Sequence, residues 1–141
     1  MPIVIRPLGD PDVESVVSLW HAVGLTRPWN DPHRDIARAR AVWSDLLLVA
    51  ADGARVVGSV MAGYDGHRGW LYYLATDPDR RGEGIGRMLV AEAEQRLEAL
   101  GCPKVMLMVR EGNDAVTDFY GAIGYARDAT SVLGKRLIPD D

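Results

Sequence analysis

The sequence has a single cysteine, Cys102, so no internal disulfide framework can hold it together. It also has no surplus of positive charge. With a formal net charge of -4 it gives no support to a basic surface that binds nucleic acid by displacing counterions, and the balance mildly favours a cationic amine as partner. Its longest apolar run, Leu46 to Ala51, falls far short of the roughly 20 residues that cross a bilayer, so no membrane span is expected. The start Met-Pro-Ile-Val-Ile-Arg lacks the apolar stretch of a signal peptide, which makes the cytoplasm the expected compartment. His21, His33 and His67 show no paired spacing, and with one cysteine no metal site is expected. What remains is ordinary globular material. The 141 residues, 48% hydrophobic and 26% charged, suit one buried core and one domain spanning residues 1–141.

Ile3, Val4 and Ile5 have the β-branched character of a strand, and Asp10-Pro11 reads as an N-cap and first-turn proline, so a helix is expected from there. Val13, Val16, Val17 and Trp20 recur at helical spacing up to Gly24. Asp31-Pro32 repeats the start signal for a second helix, which should turn Ile36, Ala39 and Trp43 inward. The run Leu46 to Ala51, the hairpin signal Asp52-Gly53, and the stretches Arg55 to Tyr64 and Trp70 to Thr76 predict an antiparallel meander. After a glycine-rich loop, Ile85, Met88, Leu89, Ala93, Leu97 and Leu100 share one face of a long helix that Gly101 ends. Lys104 to Val109 reads as a buried strand, Ala115 to Ile123 as a helix, and Tyr125 to Leu137 as two closing strands. The order is a mixed α/β pattern, in which the meander joins a partly parallel C-terminal half through a helical crossover.

The sharpest local signal is Arg80-Arg81-Gly82-Glu83-Gly84-Ile85-Gly86-Arg87, between a strand and a helix. Glycines let backbone N–H groups come close to a ligand and adopt positive φ, and a helix start supplies free donors and partial positive charge. A pyrophosphate fits such a loop. Arg87 in the first turn opposes the helix dipole and is better placed if an anion binds there. The competing reading is a flexible loop whose arginines are neutralised by Asp79 and Glu83. No Gly-Lys-Ser or Gly-Lys-Thr follows, which excludes a Walker loop, and Leu89 stands where a dinucleotide fingerprint needs its third glycine.

Here the chain resembles the GNAT superfamily of N-acetyltransferases, whose pyrophosphate motif Arg/Gln-x-x-Gly-x-Gly/Ala is matched by Arg81-Gly82-Glu83-Gly84-Ile85-Gly86. Leu74-Ala75-Thr76-Asp77-Pro78 looks like the strand leading into that loop, and Asn113-Asp114-Ala115 with Phe119-Tyr120 and Gly124-Tyr125 looks like the second cofactor motif. Residues 27–32 and 63–69 look closest to the small bacterial YpeA-like acetyltransferases. The resemblance implies a sheet splayed between the strand at Leu74 and the strand at Val105, with acetyl-CoA in the cleft. Leu74, Ala75 and Thr76 would pair with the pantetheine amides through their backbone. Arg81, Gly82, Glu83, Gly84, Ile85, Gly86 and Arg87 would hold the pyrophosphate, and Asn113 and Tyr120 would complete the cofactor site.

Acetyl transfer from a thioester to an amine needs an uncharged nucleophile, a polarised carbonyl and a leaving thiolate that gains a proton. Tyr120 is the favoured proton donor; its alternative is an amphipathic core residue with the hydroxyl at the rim. The base is left open among Tyr72, Tyr73, Asp65, His67 and a water chain. Cys102 lies away from the motifs, so direct transfer is expected. Arg27, Trp29, Asn30 and Asp31, in the connection between the first two helices, are acceptor-site candidates with Tyr72; they could equally fix that loop against the core. Another class of protein with these motifs is a noncatalytic acetyl-CoA sensor or interaction module, and a homodimer is compatible with either.

Overall fold

The computed structural model describes residues 2–140. Strand β1 (Ile3–Pro7) leads through a 3-10 turn to helices α1 (Val13–Ala22) and α2 (Pro32–Trp43), then to strands β2 (Leu47–Asp52), β3 (Arg55–Tyr64) and β4 (Gly69–Thr76). Helix α3 (Ile85–Ala99), strand β5 (Val105–Leu107) and helix α4 (Asp114–Ala122) follow. The sheet order is β1-β2-β3-β4-β5, antiparallel up to β4 and parallel between β4 and β5. The expected mixed sheet is therefore present.

Helices cover both faces, which is why β2 is apolar without alternation. Leu48 and Ala50 pack with Ile85, Leu89, Ala93 and Leu97 of α3, whereas Leu47 and Val49 pack with Val16, Val17 and Trp20 of α1 and Ile36 of α2. Leu89 is fully buried, so truncating it to alanine should cost roughly 2–5 kcal/mol. Helix α3 lies close to the sheet because β3 offers it a glycine. A Cβ on Gly58 would stand 2.9 Å from both Ile85 Cγ2 and Leu89 Cδ1.

Asp31 caps α2 as read, accepting from the N–H groups of His33 and Arg34. Four expectations need correction. Helix α1 does not start at Asp10-Pro11: those residues form the 3-10 turn Asp10–Asp12, and Asp12, held by Arg6 at 2.6 Å, accepts the Gly9 N–H at 2.8 Å. On α3, Met88 and Leu100 are exposed and Val90 is buried instead, because the inward stripe runs along Ile85, Leu89, Ala93 and Leu97. Strand β5 is only Val105–Leu107. The two closing strands of Tyr125 to Leu137 do not form. There the large apolar residues come in pairs, Val132-Leu133 and Leu137-Ile138, so no period of two gives the segment a face to bury, and all four stay exposed.

Candidate active site

The glycine loop is built to leave polar groups free. Gly82 and Gly84 have φ of 84° and 81°, and a Cβ added to either would meet no atom within 4 Å. They are needed for backbone conformation, and the space above them is open. Gly84 is the N-cap of α3, offers no side-chain cap, and no acidic residue occupies the helix's first turn, so the leading N–H groups lack a side-chain acceptor. Glu83 does not neutralise Arg81 or Arg87. It is gripped by Arg80 at 2.7 and 3.0 Å, and Arg80 also reaches Asp52 at 3.0 Å, which ties the loop to the β2–β3 hairpin. Arg80 accordingly holds the Glu83 carboxyl below its ordinary range. Arg81 and Arg87 are exposed and make no ion pair among the described residues.

Strand β4 opens toward this loop. Its parallel pairing with β5 covers only Gly69, Trp70 and Leu71 against Val105, Met106 and Leu107, then stops. At the same point β4 bulges on its β3 side: Met61 faces Tyr72 and Ser59 faces Ala75, so Tyr73 and Leu74 together oppose Val60. Tyr73 sits at φ 53°, a left-handed conformation that costs a non-glycine residue on the order of 1–3 kcal/mol. Past the bulge, Ala75 and Thr76 stay paired with β3, and the edge from Leu74 to Thr76 has no strand on its β5 side. The loop, this edge and α4 converge, since the Cβ position at Gly86 lies 3.4 Å from Phe119 Cζ and 3.7 Å from Thr76 Oγ1.

Asn113 and Tyr120 both line a cavity of about 1070 Å³ bounded by β5, the segment after it, α4 and residues 123–132. Asn113 also caps α4, accepting the Val116 N–H at 3.4 Å. Tyr120 is 7% exposed and packs edge-on against Phe119 and Tyr125, with ring centroids 5.1 and 5.4 Å away. Burial pushes its phenol up to about 12, with no hydrogen bond contributing. Its neighbour Tyr125 instead donates to Glu94 at 2.7 Å.

The remaining candidates lie elsewhere. Arg27 donates to the carbonyls of Gly24 and Thr26, Asn30 accepts from Arg136 at 3.3 Å, and Asp31 caps α2; Trp29 is exposed. None of them lines the cavity that holds Asn113 and Tyr120, and neither do Leu74 to Thr76 or Arg81 to Arg87, which meet α4 at Phe119 instead. Tyr72 is exposed on β4, and desolvation together with Asp65 raises its phenol pKa. Asp65 closes its own turn by accepting the N–H groups of His67 and Arg68. Tyr73 faces α1 and α2, stacked on Trp20 and donating to Asp35 at 2.7 Å. Cys102 packs near Gly69. No cluster of metal-ligating side chains occurs among the described residues, and none of their helices is long and apolar enough to cross a membrane.

The bulge was not foreseen. Its support is a buried chain in which Trp20 Nε1 donates to Ser59 Oγ at 2.8 Å and Ser59 Oγ donates to the Tyr73 carbonyl at 2.9 Å. A serine inside an apolar strand and a tryptophan at a core position, whose N–H needs a partner, were the available signals.

Residues 16–125 match the family described as Acetyltransferase (GNAT) family. The chain is 51% identical over 136 residues to an acetyltransferase of Pectobacterium atrosepticum, covering 96% of each. Among solved structures it is similar to the NatC complex bound to Gag peptide and CoA, at TM-score 0.80 and 26% identity, over 91% of this chain and 87% of that one. It shares its fold with a transcriptional regulator of Bacillus halodurans, at TM-score 0.78 and 21% identity, over 96% and 100% of the two chains.

Proposed function

The chain belongs to the acetyltransferase (GNAT) family and is an N-acetyltransferase, and we propose that it moves an acetyl group from acetyl-CoA directly to an amine. The observation that carries the choice of donor is the glycine loop. Its free helix N–H groups, open glycine surfaces and unpaired Arg81 and Arg87 suit a pyrophosphate, and the unpaired edge from Leu74 to Thr76 beside it suits the amides of a pantetheine arm. Acetyl-CoA supplies a thioester, so the N–C bond forms as the C–S bond breaks. In this reading Gly82, Glu83, Gly84, Ile85, Gly86 and Arg87 hold the phosphates with Arg81, while Asn113 and Tyr120 meet the thioester end from α4.

Tyr120 carries its proton at neutral pH, as an ordinary phenol does, and burial raises its pKa further, to about 12. A buried phenol is a weaker acid than an ordinary thiol, so complete transfer of that proton to the sulfur is unfavourable. The hydroxyl therefore works chiefly as a hydrogen-bond donor to the charge that develops on sulfur, and the amine's own proton balances the reaction. Arg27, Trp29, Asn30, Asp31 and Tyr72 are assigned to the acceptor side.

The test has two arms. Acetyl-CoA at about 100 times its dissociation constant should stabilise the protein by roughly 2.7 kcal/mol, with NADH and ATP doing much less. CoA release should then be measured against polyamines, amino acids, aminoglycosides and peptides. An absent thermal response to millimolar acetyl-CoA would defeat the donor assignment, whereas binding without transfer to any amine would identify a sensor.

A further inference from the structure

Trp20 and Ser59 lie on the face of the sheet opposite α3, yet they are joined to the point where β4 opens. Ser59 is completely buried, and its hydroxyl is fully used: it accepts from Trp20 Nε1 and donates to the carbonyl of Tyr73, the residue at positive φ. The Trp20 ring lies 3.8 Å from the Tyr73 ring, with the two planes 9° apart, and the Tyr73 hydroxyl is tethered to Asp35. Both ends of Tyr73, carbonyl and phenol, are therefore fixed from α1, α2 and β3. A tyrosine does not adopt this backbone conformation by preference, so its surroundings must impose it.

We propose that Trp20 and Ser59 are positioning residues for acetyl transfer, holding the Tyr73 bulge so that the backbone edge beginning at Leu74 sets the pantetheine arm at the angle that brings the thioester to its reactive position. The proposal rests on the acetyl-CoA reading above. Phosphate binding is a separate matter, because the glycine loop is anchored through Arg80, Asp52 and Glu83 without involving the brace. Loosening the brace should therefore spare the phosphate contacts, lower cofactor affinity only modestly through the pantetheine edge, and slow the chemical step more, since a misplacement of about 1 Å in a reacting geometry costs up to 10²-fold.

The experiment compares wild type with Ser59→Ala, Trp20→Phe and the double variant, well below their thermal midpoints and on an acceptor that wild type acetylates. Each single variant should lose about tenfold in kcat with KM for acetyl-CoA within about threefold, and the double variant should lose little more than the worse single, as members of one unit do. The amide resonances of Tyr73 to Thr76 should shift in each. If Ser59→Ala does not fold, Trp20→Phe carries the same test. Unshifted resonances with kcat within about twofold of wild type would overturn the proposal, as would a lower thermal midpoint with unchanged turnover per folded molecule. A wild-type protein that binds no acetyl-CoA would instead remove the reading on which the proposal rests.

Discussion

The two loops richest in candidate residues, the glycine loop at 81–87 and the α1–α2 connection at 27–31, both offer polar groups to a ligand as sequence and differ in what those groups do in the fold. In the connection, Arg27, Asn30 and Asp31 each have a partner inside the chain. In the glycine loop, among the described residues, Glu83 is the one side chain that does; Arg81 and Arg87 are exposed without an ion pair, and the leading N–H groups of α3 have no side-chain acceptor. A polar group already satisfied within the fold gains less from a ligand than one whose only alternative partner is water. The first loop is thereby held in shape on the acceptor side by contacts within the fold, and the second is left free to receive the donor.

That contrast predicts that changes in the free set alter function at constant stability, and changes in the occupied set do the reverse. The largest effect belongs to Tyr120→Phe, since the hydroxyl has no hydrogen-bond partner to lose among the described residues. Its single-turnover rate should fall by about 10², as for loss of one hydrogen-bond donor to developing charge, with unchanged thermal midpoint and acetyl-CoA affinity. A rate within about twofold of wild type would leave only the ring as the residue's role. Gly84→Val should weaken acetyl-CoA binding by at least about tenfold, as loss of one hydrogen bond to a charged group implies, and it departs from constant stability by about 1–3 kcal/mol because its φ of 81° strains a side chain; calorimetric titration of the folded variant checks the affinity. Asp31→Ala should cost about 1 kcal/mol in urea unfolding through loss of the α2 cap, with cofactor affinity unchanged. A raised KM for the acceptor in that variant would show that Asp31 also serves the substrate and blur the contrast. Arg87→Ala should weaken acetyl-CoA binding by only about twofold to fivefold, as for exposed ion pairs, and added salt should erase the difference.

The smallest effect concerns Asp140, whose carboxyl Arg38 holds down to about 2. A depressed carboxylate stabilises the fold fully above its unfolded value near 3.8 and loses that contribution as pH falls through about 2. Wild type should lose more stability between pH 5 and pH 2.5 than Arg38→Ala does, and urea midpoints at the two values measure the gap.

Most of the sheet was legible because β2, β3 and β4 carry long apolar runs between strong turn signals, and the glycine loop because its motif is local. The C-terminal segment was not, since its few apolar residues lack strand periodicity and its place depends on tertiary packing. The bulge was hidden for another reason. Tyr73 has no glycine to announce positive φ, and the groups that impose it come from residues 20, 35 and 59, far away in sequence. Asn113 was read as a ligand from the resemblance, while its service as a helix cap is a local signal that went unused.

The missing side chain at Gly58 acts as a depth gauge for α3. Ile85 and Leu89 fill the space a methyl group would need, and Ile85 is the first residue of the helix, directly after the N-cap Gly84. A single added carbon on β3 would push at the first turn of α3 and reach the glycine loop through the rigid helix, without contacting any residue of that loop before Ile85. The position thus joins core tolerance to ligand affinity, and drift that a buried strand elsewhere would absorb is transmitted here to the outer surface.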